Sequence, residues 1–195
     1  MYGWVHNCLK ETIVNLVGED KWNEICLRAA VTEDKVGLFE KTQYSADEEY
    51  FSLVKAALEV LPHLSEQDLY DMYGDYFISY IQNNGYEAYL LTFGDNLFDL
   101  LNSMNNLHAH LACSMDKMRM PIINCHKCGE RNSFTLHYSS PRGDRLAGML
   151  VGLVKSVART YFSQHVSFHE LARQGDAAGS PCTVWKVMQP STVTC

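Results

Sequence analysis

As far as residue 111 the apolar side chains of this chain recur every third or fourth position; beyond Pro121 they begin to alternate. A 3.6-residue period marks helices with one buried stripe, and a period of two marks strands with one buried face. The change of period predicts a helical first half followed by a small sheet with helices, an α+β fold.

Helices are expected over residues 4–17, 19–30 and 47–61. The first turns Trp4, Val5, Cys8, Leu9, Ile13, Leu16 and Val17 inward and ends at Gly18; the third is stopped by Pro62. Ser65 with Asp68 three residues on forms a weakened capping box. It opens a helix with Leu69, Met72, Tyr73, Tyr76, Phe77 and Tyr80 inward, ending at Asn83-Asn84-Gly85. Further helices are read at 97–111 and, the most apolar, at 147–162. Residues 122–125 and 133–138 read as strands, and 165–169 with 183–188 as a hairpin across a Gly-rich polar tip near 175–180. Short turns between strands make the sheet antiparallel. Residues 31–45 read as a loop with room for an extended piece at Leu38-Phe39.

At 195 residues the chain is one domain of generous size. The net charge of −7, with no basic stripe, excludes a nucleic-acid-binding role. No run of about 18 apolar residues could span a bilayer, and the N-terminus has no basic segment of a secretory signal. Seven cysteines, an odd number, suit thiols in a reducing cytoplasm better than a disulfide framework.

Three features carry chemistry. His108 sits on an apolar helix face with Leu97, Leu100, Leu101, Met104, Leu107 and Leu111. An imidazole there is either a core histidine with satisfied polar atoms or a metal ligand. His110 is rotated roughly 200° away and solvated, so the two are not a chelating pair. Tyr138-x-Ser140-x-Arg142 would send two hydroxyls and a guanidinium from one face if the strand ran through it. That is a fork for a carboxylate or phosphate, or the polar face of an edge strand. Cys125-x-x-Cys128 has zinc or redox spacing but no second pair, so turn thiols are the simpler reading. No phosphate loop, nucleophile elbow or zinc-protease motif is present, and the residues do not speak for an enzyme.

The order of motifs resembles a known family. Met1-Tyr2-Gly3-Trp4-Val5, the helix ending Leu107-His108-Ala109-His110-Leu111, the connector Met118-Arg119-Met120-Pro121 and Tyr138-x-Ser140-x-Arg142 are similar to the heme–nitric oxide/oxygen binding (H-NOX) family. In particular they resemble the heme domain of the β subunit of soluble guanylate cyclase. Gly74-Asp75-Tyr76-Phe77, Gly85-Tyr86-Glu87 and Gly152-Leu153-Val154-Lys155-Ser156 fit as well, so the likeness spans about residues 1–190. It implies one sensor domain, with a helical lobe over about 1–62, a heme-ligating lobe over about 63–190, and a tail at 191–195.

The resemblance implies heme b, ferrous iron–protoporphyrin IX, with His108 as proximal iron ligand and Tyr138, Ser140 and Arg142 on the propionates. Pro121 would press on the porphyrin, Met104, Leu107 and Ile123 would make proximal contacts, and Val5, Leu9, Phe77, Met149 and Leu153 would line the distal side. Oxygen-binding members use a distal tyrosine as donor; the segment Leu146-Ala147-Gly148-Met149-Leu150-Val151 has none, whether Gly148 or Met149 faces the iron. A register error placing Tyr76 there would weaken that conclusion. The expectation is a cytoplasmic sensor of nitric oxide and CO that excludes oxygen. It would signal by release of His108, with guanylate cyclase as its output. The rivals are a stand-alone H-NOX protein acting on a separate signalling enzyme, an oxygen-binding heme protein, and a thiol or zinc redox sensor.

Overall fold

The computed structural model describes residues 1–31, 44–130, 132–175 and 181–189. Among them the chain runs α1 (Gly3–Val17), α2 (Glu19–Arg28), α3 (Asp47–Val60), α4 (Glu66–Asn83), α5 (Glu87–Leu91), α6 (Leu97–Ala112), β1 (Ile122–Lys127), β2 (Ser133–Ser139), α7 (Ala147–Phe162), β3 (Ser167–Gly175) and β4 (Pro181–Met188). The α+β architecture and the antiparallel sheet agree with the sequence reading; strand order is β1-β2-β4-β3. The extended piece expected at Leu38-Phe39 and the tip at 176–180 lie outside the described residues.

Local signals act as read. Gly18 ends α1 with φ +86°, a conformation that a β-carbon disfavours. Ser65 closes a full capping box: its Oγ accepts from the Asp68 N–H at 3.1 Å, and Asp68 Oδ2 accepts from the Ser65 N–H at 2.9 Å. The inward faces need three corrections. Leu16 is 42% exposed, because α1 has passed the edge of its neighbours by its last turn. α2 stops at Arg28, two residues early, with Ala30 at φ 55°. α4 also buries Tyr70 and Ile78, because it is packed on two sides.

The apolar residues form two clusters. The N-terminal one joins Leu9, Ile13, Trp22, Ile25, Tyr50 and Leu53 to Leu69, Tyr70 and Tyr73 of α4 and Met149 of α7. The other joins Leu97, Leu100 and Leu101 of α6 to α7 and to the inner sheet residues Ile123, Leu136, Tyr138 and Trp185. Each fully buried Leu or Ile contributes about 1.5–3 kcal/mol, so these clusters outweigh local propensity. Phe77 and Leu146 pack against both.

The seam is fixed where α4 crosses α7. A β-carbon on Gly152 would lie 2.1 Å from the Tyr70 carbonyl oxygen, and one on Gly74 would lie 2.5 Å from the Gly152 carbonyl oxygen. Only glycine at both positions lets the two backbones come this close.

Candidate functional site

α6 holds His108 two turns past its buried first half. The ring is half-buried, yet its Nδ1 is fully buried with no hydrogen-bond partner. Burial lowers the imidazole pKa, and the Pro121 backbone beside the ring opposes that. A buried imidazole nitrogen without a partner costs about 1–3 kcal/mol, and a metal–imidazole bond made through the ring would change that balance. Met104, Leu107, Val5, Phe77 and Leu153 share a second property. All are apolar and helical, yet each keeps part of its surface accessible beside fully buried neighbours. Half-exposed apolar side chains on α1, α4, α6 and α7, together with one buried imidazole nitrogen, have the chemistry to hold a flat apolar group bearing a metal.

α6 is tied to the sheet by two asparagines. Asn102 Oδ1 accepts from the Cys125 N–H at 2.8 Å. Asn105 Oδ1 accepts from the Ile123 N–H at 3.0 Å, and its Nδ2 donates to the Ile123 carbonyl at 2.8 Å. Alternate backbone groups of the edge strand β1 thus pair with side chains one turn apart on the helix that carries His108. Periodicity shows only apolar faces, so the sequence reading missed this polar link.

The polar triplet comes together differently from the expectation. Tyr138 is in β2, but Ser140 and Arg142 lie beyond its end, in the turn where the Gly143 N–H donates to the Ser140 carbonyl at 2.9 Å. Pro141 cannot continue the ladder, so the turn, not a strand face, gathers the group. Tyr138 and Ser140 are 2% exposed. Burial raises the Tyr138 pKa, while its hydrogen bond with Ser140 and the nearby Arg142 charge oppose that. The Arg142 N–H donates to Ser140 Oγ at 3.1 Å. Its Nε and Nη2 donate to the Asp47 carboxylate at 2.8 and 3.2 Å, and its Nη1 donates to the Arg119 carbonyl. A guanidinium has five N–H groups, so roughly two remain for an anion. Burial alone would push the Asp47 carboxyl up, but Arg142 and the Met1 ammonium hold it below its usual value.

On the other wall, Met149 and Leu9 are buried in the N-terminal cluster and Val5, Phe77 and Leu153 pack against it. Gly148 faces elsewhere: its β-carbon would meet Tyr70 Cδ2 at 2.9 Å and Gln67 Oε1 at 3.2 Å. The Gly74–Gly152 crossing thus places Met149, not Gly148, with the predicted distal residues. Tyr76 lies near Glu11, Cys8 and Tyr80, toward α1. A further donor, on α1, carried no signal in the periodicity of the sequence. Trp4 tilts against Phe77 at 5.5 Å, and its Nε1 is buried without a partner. Cys125 points inward at 6% exposure, with burial pushing its thiol up to about 12, whereas Cys128 sits in the turn 2.9 Å from Ser133 Oγ. The two cysteines are therefore not brought together.

The family model "Haem-NO-binding" matches residues 2–170, and the chain belongs to that H-NOX family. "Soluble guanylate cyclase gcy-37" of Caenorhabditis elegans is 31% identical over 175 residues, covering 89% of this chain and 24% of that protein. The chain therefore spans about a quarter of the length of such relatives. Among solved structures, an H-NOX protein from S. oneidensis in the Fe(II) ligation state superposes with TM-score 0.78 at 21% identity, covering 97% of this chain and 96% of that one. An oxygen-binding H-NOX domain related to soluble guanylate cyclases gives 0.73 at 17%, covering 97% and 95%. The chain is accordingly a heme-binding gas-sensor domain. Among the described residues no helix is long and apolar enough to cross a membrane.

Proposed function

We propose that the His108 imidazole would hold the iron of a heme b and that the domain detects nitric oxide and CO. The observation that carries this is the His108 imidazole of a chain in the H-NOX family, its Nδ1 fully buried without a hydrogen-bond partner. When bound, the heme supplies a ferrous iron that takes a diatomic gas as axial ligand. Tyr138, Ser140 and the spare N–H groups of Arg142 hold the propionates by charge-assisted hydrogen bonds. Met104, Leu107, Ile123 and Pro121 support the proximal side. Val5, Leu9, Phe77, Met149 and Leu153 form a distal lining without a hydroxyl, which favours nitric oxide and CO over oxygen.

Were His108 no longer held by the heme, α6 would be free to shift against Pro121 and β1, and that shift would be the signal. A shift of this kind responds to the gas only if gas affinity differs between the two positions of α6. The longer cyclase relatives make a guanylate cyclase the output we favour, and a cytoplasmic location follows from that. Residues 1–190 act as one domain, with the helical lobe over about 1–62 and the ligating lobe over about 63–190.

Absorption spectra test this. Ferrous protein should give a five-coordinate nitric oxide complex, and a persistent six-coordinate one overturns His108 release. His108→Ala should lose heme unless imidazole is supplied; normal ligation in that variant overturns the ligand assignment. A stable oxygen complex in air overturns the exclusion of oxygen, and Trp4→Phe would then show whether its Nε1 is the donor.

A further inference from the structure

We propose that His126 and His137 form a two-imidazole site for a borderline divalent transition ion, Zn2+ or Cu2+, on the outer face of the sheet. The two residues lie on adjacent strands. Asn124 is opposite His137 and His126 is opposite Thr135, so the histidines are diagonal neighbours on the face turned away from the core. Their ring centroids are 4.8 Å apart with planes at 85°. A metal bound to two imidazoles at about 2.0–2.1 Å, with bond angles of about 90–109°, puts the ring centroids about 4.5–5.2 Å apart. The centroid spacing that the strands supply falls in that range.

Both positions are held by the continuous β1–β2 ladder, which preorganises the pair. No hydrogen bond among the described residues occupies either ring. Burial, and then the neighbouring His126, lower the His137 pKa, which favours the neutral imidazole that a metal requires. Imidazole suits zinc and copper above harder cations such as Mg2+ or Ca2+. Among the described residues no cluster of three or more His, Cys, Asp or Glu could hold a metal. Water therefore completes the coordination, leaving open positions unlike those of a closed structural zinc site.

The location gives the site a consequence. A bound ion would staple edge strand β1 to β2 directly behind Cys125 and Leu136, whose side chains face the core. Asn102 and Asn105 of α6 grip that same edge strand from the other side.

Calorimetric titration of the purified chain with ZnCl2 tests the site. The expected result is one Zn2+ per chain, weakened at least about tenfold in His126→Ala and in His137→Ala. His169→Ala, an exposed histidine on β3, and Cys128→Ser should bind as the parent does. Both proposed ligands project from the outer face, and thermal melts should show the variants folded. With Cu2+, a two-nitrogen paramagnetic resonance pattern should disappear in the same two variants. Absence of saturable one-to-one binding, binding that survives in the double variant, or loss in Cys128→Ser would each overturn the proposal.

Discussion

α7 and α6 both carry residues of the proposed heme site, but they are held in opposite ways. α7 is locked to α4 by backbone against backbone at Gly152 and Gly74, with Lys155–Asp71 at 2.6 Å and Arg159–Asp75 bracing the crossing. α6 is fully buried only at Leu97, Leu100 and Leu101, and near its middle it is tied to β1 through the side chains of Asn102 and Asn105. A glycine crossing has no slack, because any slide drives carbonyl into backbone. Asparagine amides on rotatable side chains can follow a shift of about an ångström, or exchange with water, at a small net cost. Under the proposed function, α7 would serve as the fixed reference and α6, the helix bearing His108, as the part that moves.

That contrast can be broken from either side. The largest effect is expected at the fixed crossing. Gly152→Ala should destabilise the fold by about 3 kcal/mol or more, lowering the melting temperature by roughly 6–12 °C in thermal denaturation. A melt that matched the parent would mean that α4 and α7 can slide after all.

Acid should loosen the N-terminal cluster next. Burial pushes His6 down to about 4 from an ordinary value near 6.5. Between those values the unfolded chain binds a proton that the folded chain refuses. The stability is therefore present above about pH 6.5 and is lost as pH falls towards 4, by about 3 kcal/mol. Urea unfolding at pH 7 and pH 4.5 should show the drop, and His6→Gln should flatten it.

Asn105→Ala leaves the Ile123 N–H and carbonyl without their partner and should cost about 1–3 kcal/mol. Hydrogen exchange should rise at β1 while α7 stays protected; uniform exchange would show that α6 is not separately held. The smallest effect belongs to Lys155→Ala. Its partly exposed ion pair should be worth about 0.2–1 kcal/mol in denaturant titration, which would leave the glycines as the dominant brace.

The legibility of the site follows the same division. His108, Tyr138 and Arg142 stood out in the sequence because an imidazole on an apolar stripe and a guanidinium after alternating hydroxyls are chemically unusual there. Leu69 and Tyr73 were legible as core from helical spacing, but Tyr70 was not, because a helix packed on two sides breaks the single-stripe rule. Ser140 was expected on a strand face with Arg142, but a turn after β2 sets the two side by side.

What the sequence determined by itself was local: the helix and strand periods, the caps at Gly18 and Ser65, and the chemical identity of the groups in the site. Tertiary structure alone decided three things. It set the register that places Met149 rather than Gly148 with Val5 and Phe77, joined Arg142 to Asp47, and paired Asn102 and Asn105 with β1. Each depends on groups far apart in the chain, whose meeting is fixed by how closely two backbones can approach. No period or spacing along a single segment encodes that distance.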